Sequence, residues 1–190
     1  MILGSSSPRR KELLASLGIA IDLVVGPEID ETPAKNEKPR CYVRRMAEEK
    51  NMAIQSSAND LVLTADTIVS CGTQILGKPK DKEMAKSFLE LLSGRRHQVL
   101  TGIYVRFERF RRYRLVRTQV KIKNLSSSEI DWYLGTEEWK GKAGGYAIQG
   151  KAAAFVPFIS GSYTNVMGLP LTETTNILNG LGYRLAKTEG

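Results

Sequence analysis

Several ionisable side chains stand where packing alone would not put them. Asp66 follows the apolar run Leu61-Val62-Leu63-Thr64-Ala65, which has the length and hydrophobicity of a parallel strand buried on both faces. A carboxylate at the carboxyl end of such a strand lies where open α/β sheets hold their ligands. Buried, it needs a cation, a metal or a water to act on. Lys50 falls in the middle of the apolar stripe Val43, Met46, Ala47, Ala53 and Ile54. Either its ammonium snorkels past the core to water or it emerges inside a cleft. Arg9 and Arg10 open a helix, where the dipole disfavours cations, so an anion there would offset them. Lys78, between Gly77 and Pro79, sits in a restrained loop, a place that many exposed turn lysines also occupy.

The elements that must hold these side chains can be read in order. Met1-Ile2-Leu3 reads as a short buried strand, Gly4-Ser5-Ser6-Ser7 as a small-residue turn, and Pro8 to Leu17 as a helix stopped at Gly18. Pro8 suits the first helical position, with Ser7 as N-cap, and a helix start flanked by hydroxyls is a ready anion site. Arg10, Leu13, Leu14 and Leu17 recur at i, i+3, i+4 and i+7, so Arg10 prolongs the inward-facing stripe; a capped amphipathic helix whose arginines bend out to water fits these residues equally well. No Gly-x-x-x-x-Gly-Lys-Ser/Thr phosphate loop occurs.

Ile21–Val25 reads as a strand, residues 26–38 as a loop with an acidic cluster of Glu28, Asp30 and Glu31, and Pro39 opens a helix reaching about Gln55. Asp81 caps a helix that ends at Gly94, and two strands follow, about His97–Phe107 and Tyr113–Lys123. Ser126 and Glu129 are spaced as a capping box. The glycine-rich stretch Trp139–Gly150 lets a backbone lie close to a ligand, and its Gln149 can both donate to and accept from a base edge. Ala152–Ile159 reads as a strand, and a final helix ends at Gly180 or Gly182.

At 190 residues one domain, 1–190, is the expectation. No apolar run approaches the roughly 20 residues of a membrane span, and the start lacks the pattern of a signal peptide. Cys41 and Cys71 have no ligand-like spacing and fit reduced thiols in a cytoplasmic protein. A single histidine, His97, argues against a histidine-based metal site. The net charge of +8 suggests acidic partners. Arginines interleaved with aromatics from Arg106 to Arg117 can bind single-stranded nucleic acid, but a solvated hairpin tip is the commoner origin of such a stretch.

Six stretches, in order over essentially the whole chain, resemble the Maf family of nucleotide pyrophosphatases. They are Ser5-Ser6-Ser7-Pro8-Arg9-Arg10-Lys11-Glu12-Leu13-Leu14; Ala65-Asp66-Thr67; Gly77-Lys78-Pro79; Leu92-Ser93-Gly94 with His97-Gln98-Val99 and Thr101; Lys142 to Gly150; and Gly161-Ser162-Tyr163 with Gly168-Leu169-Pro170. The resemblance implies an α/β fold, a central mixed twisted sheet flanked by helices with two lobes around a cleft, related to the inosine triphosphate pyrophosphatases. It implies hydrolysis of a nucleoside triphosphate to monophosphate and pyrophosphate with Mg²⁺ or Mn²⁺, and a homodimer. By the same resemblance Asp66 is the general base or a metal ligand, and Glu31 a further metal contact. Ser5, Arg9, Arg10, Lys50 and Lys78 are phosphate and cleft residues. Tyr146-Ala147-Ile148-Gln149-Gly150 resembles the branch preferring dTTP and UTP, in which Arg10, Thr67 and Gln149 set specificity. The chain departs from the common pattern in having Gly4 and Gly145 where alanine is usual.

Overall fold

The computed structural model describes residues 1–183. Among these residues seven strands form one mixed sheet: β1 (Ile2–Gly4), β2 (Leu23–Val25), β3 (Val62–Cys71), β4 (Gln74–Leu76), β5 (Arg96–Phe107), β6 (Phe110–Lys121) and β7 (Phe158–Ser160). Six α-helices accompany them there: α1 (Pro8–Ala15), α2 (Pro39–Met52), α3 (Lys82–Leu92), α4 (Ser127–Gly135), α5 (Tyr163–Met167) and α6 (Leu171–Gly180). The strand order is β2-β1-β3-β5-β6-β7, with β4 also on β3. β1 runs parallel to β2 and β3, and the other pairings are antiparallel.

The length of β3 decides where a site can form. Its Val62, Leu63 and Thr64 pair with the whole of β1, and its Val69, Ser70 and Cys71 pair with β4. β5 covers the other edge from Val62 to Ser70. Between β1 and β4, residues 65–68 therefore have no neighbouring strand on this edge among the described residues, and the sheet carries a gap there. Asp66 and Thr67 sit in that gap. Asp66 is thus not at the end of its strand, as the apolar run suggested. The end that matters is that of β1, which turns away after Gly4 into Ser5-Ser6-Ser7 and α1.

The two faces of the sheet are covered differently. α2 lies on one face, packing Tyr42, Val43 and Met46 against Ile68 and Leu100. The other face is split. Leu63, Ala65, Ile103 and Val105 pack with Leu13, Leu14 and Leu178 of α1 and α6, whereas Val69, Val99 and Val120 pack with α3 and α4. Thr67 and Thr101, cross-strand partners whose hydroxyls lie 2.9 Å apart, form the polar seam between these apolar bodies, which are the two lobes. Asp81 caps α3 through the Met84 amide, and α4 opens with the expected capping box.

Three local readings are corrected. Ser7 holds the N-cap position of α1 but makes no side-chain cap bond; its own amide instead donates to Ser5 Oγ at 3.2 Å. β5 ends at Phe107 as expected, but β6 runs from Phe110 to Lys121 rather than from Tyr113 to Lys123, leaving only Glu108 and Arg109 as the turn. Residues 152–159 are not one strand: Lys151–Phe155 is a 3₁₀ helix and only Phe158–Ser160 is extended. The alanines at 152–154 favour helical backbone, and Pro157 withholds a ladder donor.

Candidate active site

A cleft of about 350 Å³ opens over the gap, lined from the β1–α1 turn, α2, β3, the segment after β4, the glycine-rich loop and the end of α5. Every residue expected to serve the site lines it: Ser5, Arg9, Arg10, Glu31, Lys50, Asp66, Thr67, Lys78 and Gln149. Consecutive strand residues point to opposite faces, yet the gap lets Asp66 and Thr67 reach one cleft from the two sides of β3.

On the α2 side, Lys50 and Asp66 form a buried ion pair, with Nζ 2.6 Å from Oδ1. Lys50 Nζ also lies 2.8 Å from Glu31 Oε1. The ammonium thus does not snorkel to solvent; it bridges two carboxylates inside the cleft. Burial raises the affinity of Glu31 for a proton, but the hydrogen bond and charge of Lys50, helped by Lys78 and Arg10, outweigh it and hold the carboxyl below its ordinary range.

On the other side, Arg10 is fixed by three neutral acceptors. Its Nε donates to the Gly168 carbonyl at 2.8 Å, Nη1 to Ser5 Oγ at 2.9 Å and Nη2 to Thr67 Oγ1 at 3.1 Å. Three of its five N–H donors are thereby used and two remain. Gly168 adopts φ 118° after α5, a backbone state that side chains rarely tolerate, and this turn aims its carbonyl at the guanidinium. Burial pushes the Arg10 guanidinium down, against the favourable charge of Asp66. Arg9, half-buried beside it, is lowered by burial too, opposed by Glu12.

The opposite wall carries Lys78 and the glycine-rich loop, tied together by the Gly144 amide donating to the Gly77 carbonyl at 3.0 Å. Lys140 and Lys142 reach the cleft from this loop. Lys142 is lowered first by burial and then by the charge of Arg9. Among the described residues six cationic side chains and two carboxylates therefore line the cleft. Arg9, Arg10, Lys78 and Lys142 have no carboxylate within 4.0 Å among the described residues. A cavity with this excess of positive charge, ending on an α1 N-terminus with no acidic residue in its first turn, is built for a polyanion.

Lys142 and the Gly168 carbonyl were not singled out from the sequence. Lys142, between Gly141 and Ala143, carried a signal, since it shares a motif with Gln149; a backbone acceptor carries none. The arginine-rich hairpin contributes nothing to the cleft. Its turn lies beyond Arg106, which is in register with Val62 at the start of β3, the far end from Asp66. Its ring Phe110 is already covered by the guanidiniums of Arg109 and Arg112, each 5.4 Å from the centroid.

Comparison with known proteins accords with this architecture. The chain is 54% identical over 183 residues to the dTTP/UTP pyrophosphatase of Roseobacter denitrificans, covering 96% of this chain and 97% of that one. It is 52% identical to the protein of the same name from Cereibacter sphaeroides, covering 97% and 96%. Among solved structures, a HAM1 protein from Coxiella burnetii superposes with a TM-score of 0.51 at 13% identity, over 94% of this chain and 98% of that one, a likeness of fold. The family model described as Maf-like protein matches residues 1–181, and the chain belongs to the Maf-like protein family.

Proposed function

We propose that this protein hydrolyses dTTP and UTP to the nucleoside monophosphate and pyrophosphate. The observation that carries the reading is the convergence, in one cleft, of uncompensated cations with the buried Lys50–Asp66 pair. A triphosphate brings about four negative charges, and its hydrolysis is chiefly positioning and charge stabilisation. Arg9, Arg10, Lys78 and Lys142 supply donors for the phosphate oxygens, the arginines as planar forks and the lysines as point charges. Asp66 engages Lys50 through Oδ1, which leaves Oδ2 to take a proton from the attacking water. Lys50 holds the carboxylate in place. Gln149, exposed on the loop, reads the acceptor–donor–acceptor edge of uracil or thymine in company with Arg10 and Thr67.

A divalent cation, Mg²⁺ or Mn²⁺, fits this donor set. Among the described residues no group of three or more His, Cys, Asp or Glu side chains could hold a metal alone. Mg²⁺, however, commonly binds one or two carboxylates together with substrate phosphates, and Glu31 and Asp66 are the carboxylates of the cleft. Such a cation, arriving with the nucleotide, would neutralise charge on the phosphate oxygens.

The test is a panel of nucleoside triphosphates with Mg²⁺ or Mn²⁺, scored for pyrophosphate against orthophosphate. Pyrophosphate release from dTTP and UTP is expected, with Asp66→Asn lowering the rate by about 10²–10⁴ while nucleotide binding survives. Orthophosphate as the product, or full turnover by Asp66→Asn, would refute the reading.

A further inference from the structure

Glu31 reaches the cleft from a loop of thirteen residues, 26–38, without helix or strand, and chain of that kind does not hold a side chain in place by itself. Two residues of α2 hold it. Tyr42 Oη donates to the Glu31 carbonyl at 2.8 Å. Arg45 Nη2 donates to the next carbonyl, Thr32, at 3.1 Å. Arg45 also grips Glu37 with both arms of its fork, Nε to Oε1 at 2.9 Å and Nη2 to Oε2 at 2.7 Å. Glu37 Oε2 in turn accepts from the Ala34 amide at 3.0 Å, closing the loop on itself. The Arg45 guanidinium lies over the Tyr42 ring at 5.6 Å, so the two anchors brace each other. The grip is strong enough to pull the Glu37 carboxyl down to about 2, the hydrogen bond to Arg45 being the largest cause.

The same helix carries Lys50, whose ammonium meets the Glu31 carboxylate. α2 therefore fixes both ends of that contact, the cation directly and the carboxylate through the loop. Resting on the proposed reaction, we infer that Arg45 is a positioning residue: its clamp on Glu37 and Thr32 sets the 26–38 loop so that Glu31 meets Lys50 in the cleft. Arg45 itself touches neither the cleft nor any residue expected to bind phosphate. A lysine there would keep the charge but lose the two-armed grip.

The experiment is a double-mutant cycle on UTP hydrolysis, with amide exchange as a second readout. Arg45→Ala should lower kcat/KM roughly 10- to 100-fold, the scale of a misplaced reacting group, and Arg45→Lys should recover little of it. In a Glu31→Gln background the same substitution should cost less than about twofold, because its effect runs through Glu31. Tyr42→Phe, which removes one hydrogen bond and spares the fold, should show a smaller loss that also vanishes in that background. The Ala34 amide should exchange faster in Arg45→Ala. An equal loss with and without Glu31, or no loss in either, would overturn the inference. If the unaltered protein releases no pyrophosphate from UTP, the functional reading fails instead, and the clamp is then decided by exchange alone: faster at Ala34 upholds it, unchanged overturns it.

Discussion

His97 should make the protein lose stability in mild acid by an amount that can be worked out. The ring is 2% exposed. Its Nε2 lies 2.7 Å from Tyr146 Oη, and its Nδ1 has no partner among the described residues. The neutral ring can pair with the phenol in either tautomer, Nε2 accepting the phenol hydrogen or donating to its oxygen. The protonated ring carries a charge and an N–H on both nitrogens, and the Nδ1–H then has nothing to accept it. Burial accordingly drops the group from 6.5 to about 4. The native pKa lies below the unfolded one, so between these values the unfolded chain binds more protons, and stability must fall as pH falls. Multiplying the shift by about 1.4 kcal/mol per unit gives about 3 kcal/mol lost between pH 7 and pH 4, with most of the fall below pH 6.5. The assay is urea unfolding across this range for the protein and for His97→Gln, whose amide can still donate to Tyr146 and does not titrate. Carboxylate effects are common to both and cancel in the difference. Identical pH dependence in the two proteins would refute the argument. Tyr146 lines the cleft, so loss of activity at acid pH should accompany the loss of stability.

Three further outcomes are expected. Lys50→Gln leaves Asp66 and Glu31 facing each other without their ammonium, so the Glu31 carboxyl should rise. The acid limb of the pH–rate profile should then move to higher pH, and the fold should lose about 3 kcal/mol, the scale for breaking a buried pair. An unmoved acid limb would count against the bridge. At Gly4 an added Cβ would stand 2.3 Å from Ile54 Cδ1 and 2.4 Å from Thr64 Cγ2. Gly4→Ala should therefore cost about 1–3 kcal/mol in denaturant unfolding, and Ile54→Val should restore part of it. Gln149→Ala should reduce the preference for dTTP over CTP in kcat/KM more than it reduces turnover of dTTP; an unaltered ratio would remove Gln149 from base reading.

Much of this was legible in residue types and spacing, for identifiable reasons. A lysine in an apolar stripe or an arginine on an inward helical face is a local anomaly, and periodicity exposes it. Lys50 and Arg10 were found that way, and both meet their partners in the cleft. The capping box at Ser126 and the hairpin were equally local. What escaped depended on distance along the chain. Arg45 meets Glu49 one helical turn on at 3.4 Å, but its principal partner is Glu37, before the helix begins. The anchorage of Arg10 on the Gly168 carbonyl joins residues 158 positions apart and involves no distinctive side chain. Asp66 was found by its chemistry and misplaced by its context, because an apolar run cannot report that the strand continues after its neighbour has left.

That departure explains why the cleft can combine two tasks. On an unbroken sheet Asp66 and Thr67 would face different layers, each covered by its own helices, and no ligand could touch both. β1 is three residues long and β4 pairs only with the last three of β3, so the gap exposes β3 edge-on. Through it the ion pair anchored by α2 and the guanidinium anchored by α1 and Gly168 approach the same volume from opposite faces. Each is braced by a different body of the fold: Lys50 and Glu31 by α2 and its loop, Arg10 by the polar seam at Thr67 and Thr101. A substitution in one brace therefore leaves the other standing. The contacts beside Asp66 and those beside Thr67 can accordingly be altered separately in this architecture, although the two residues are adjacent in the chain.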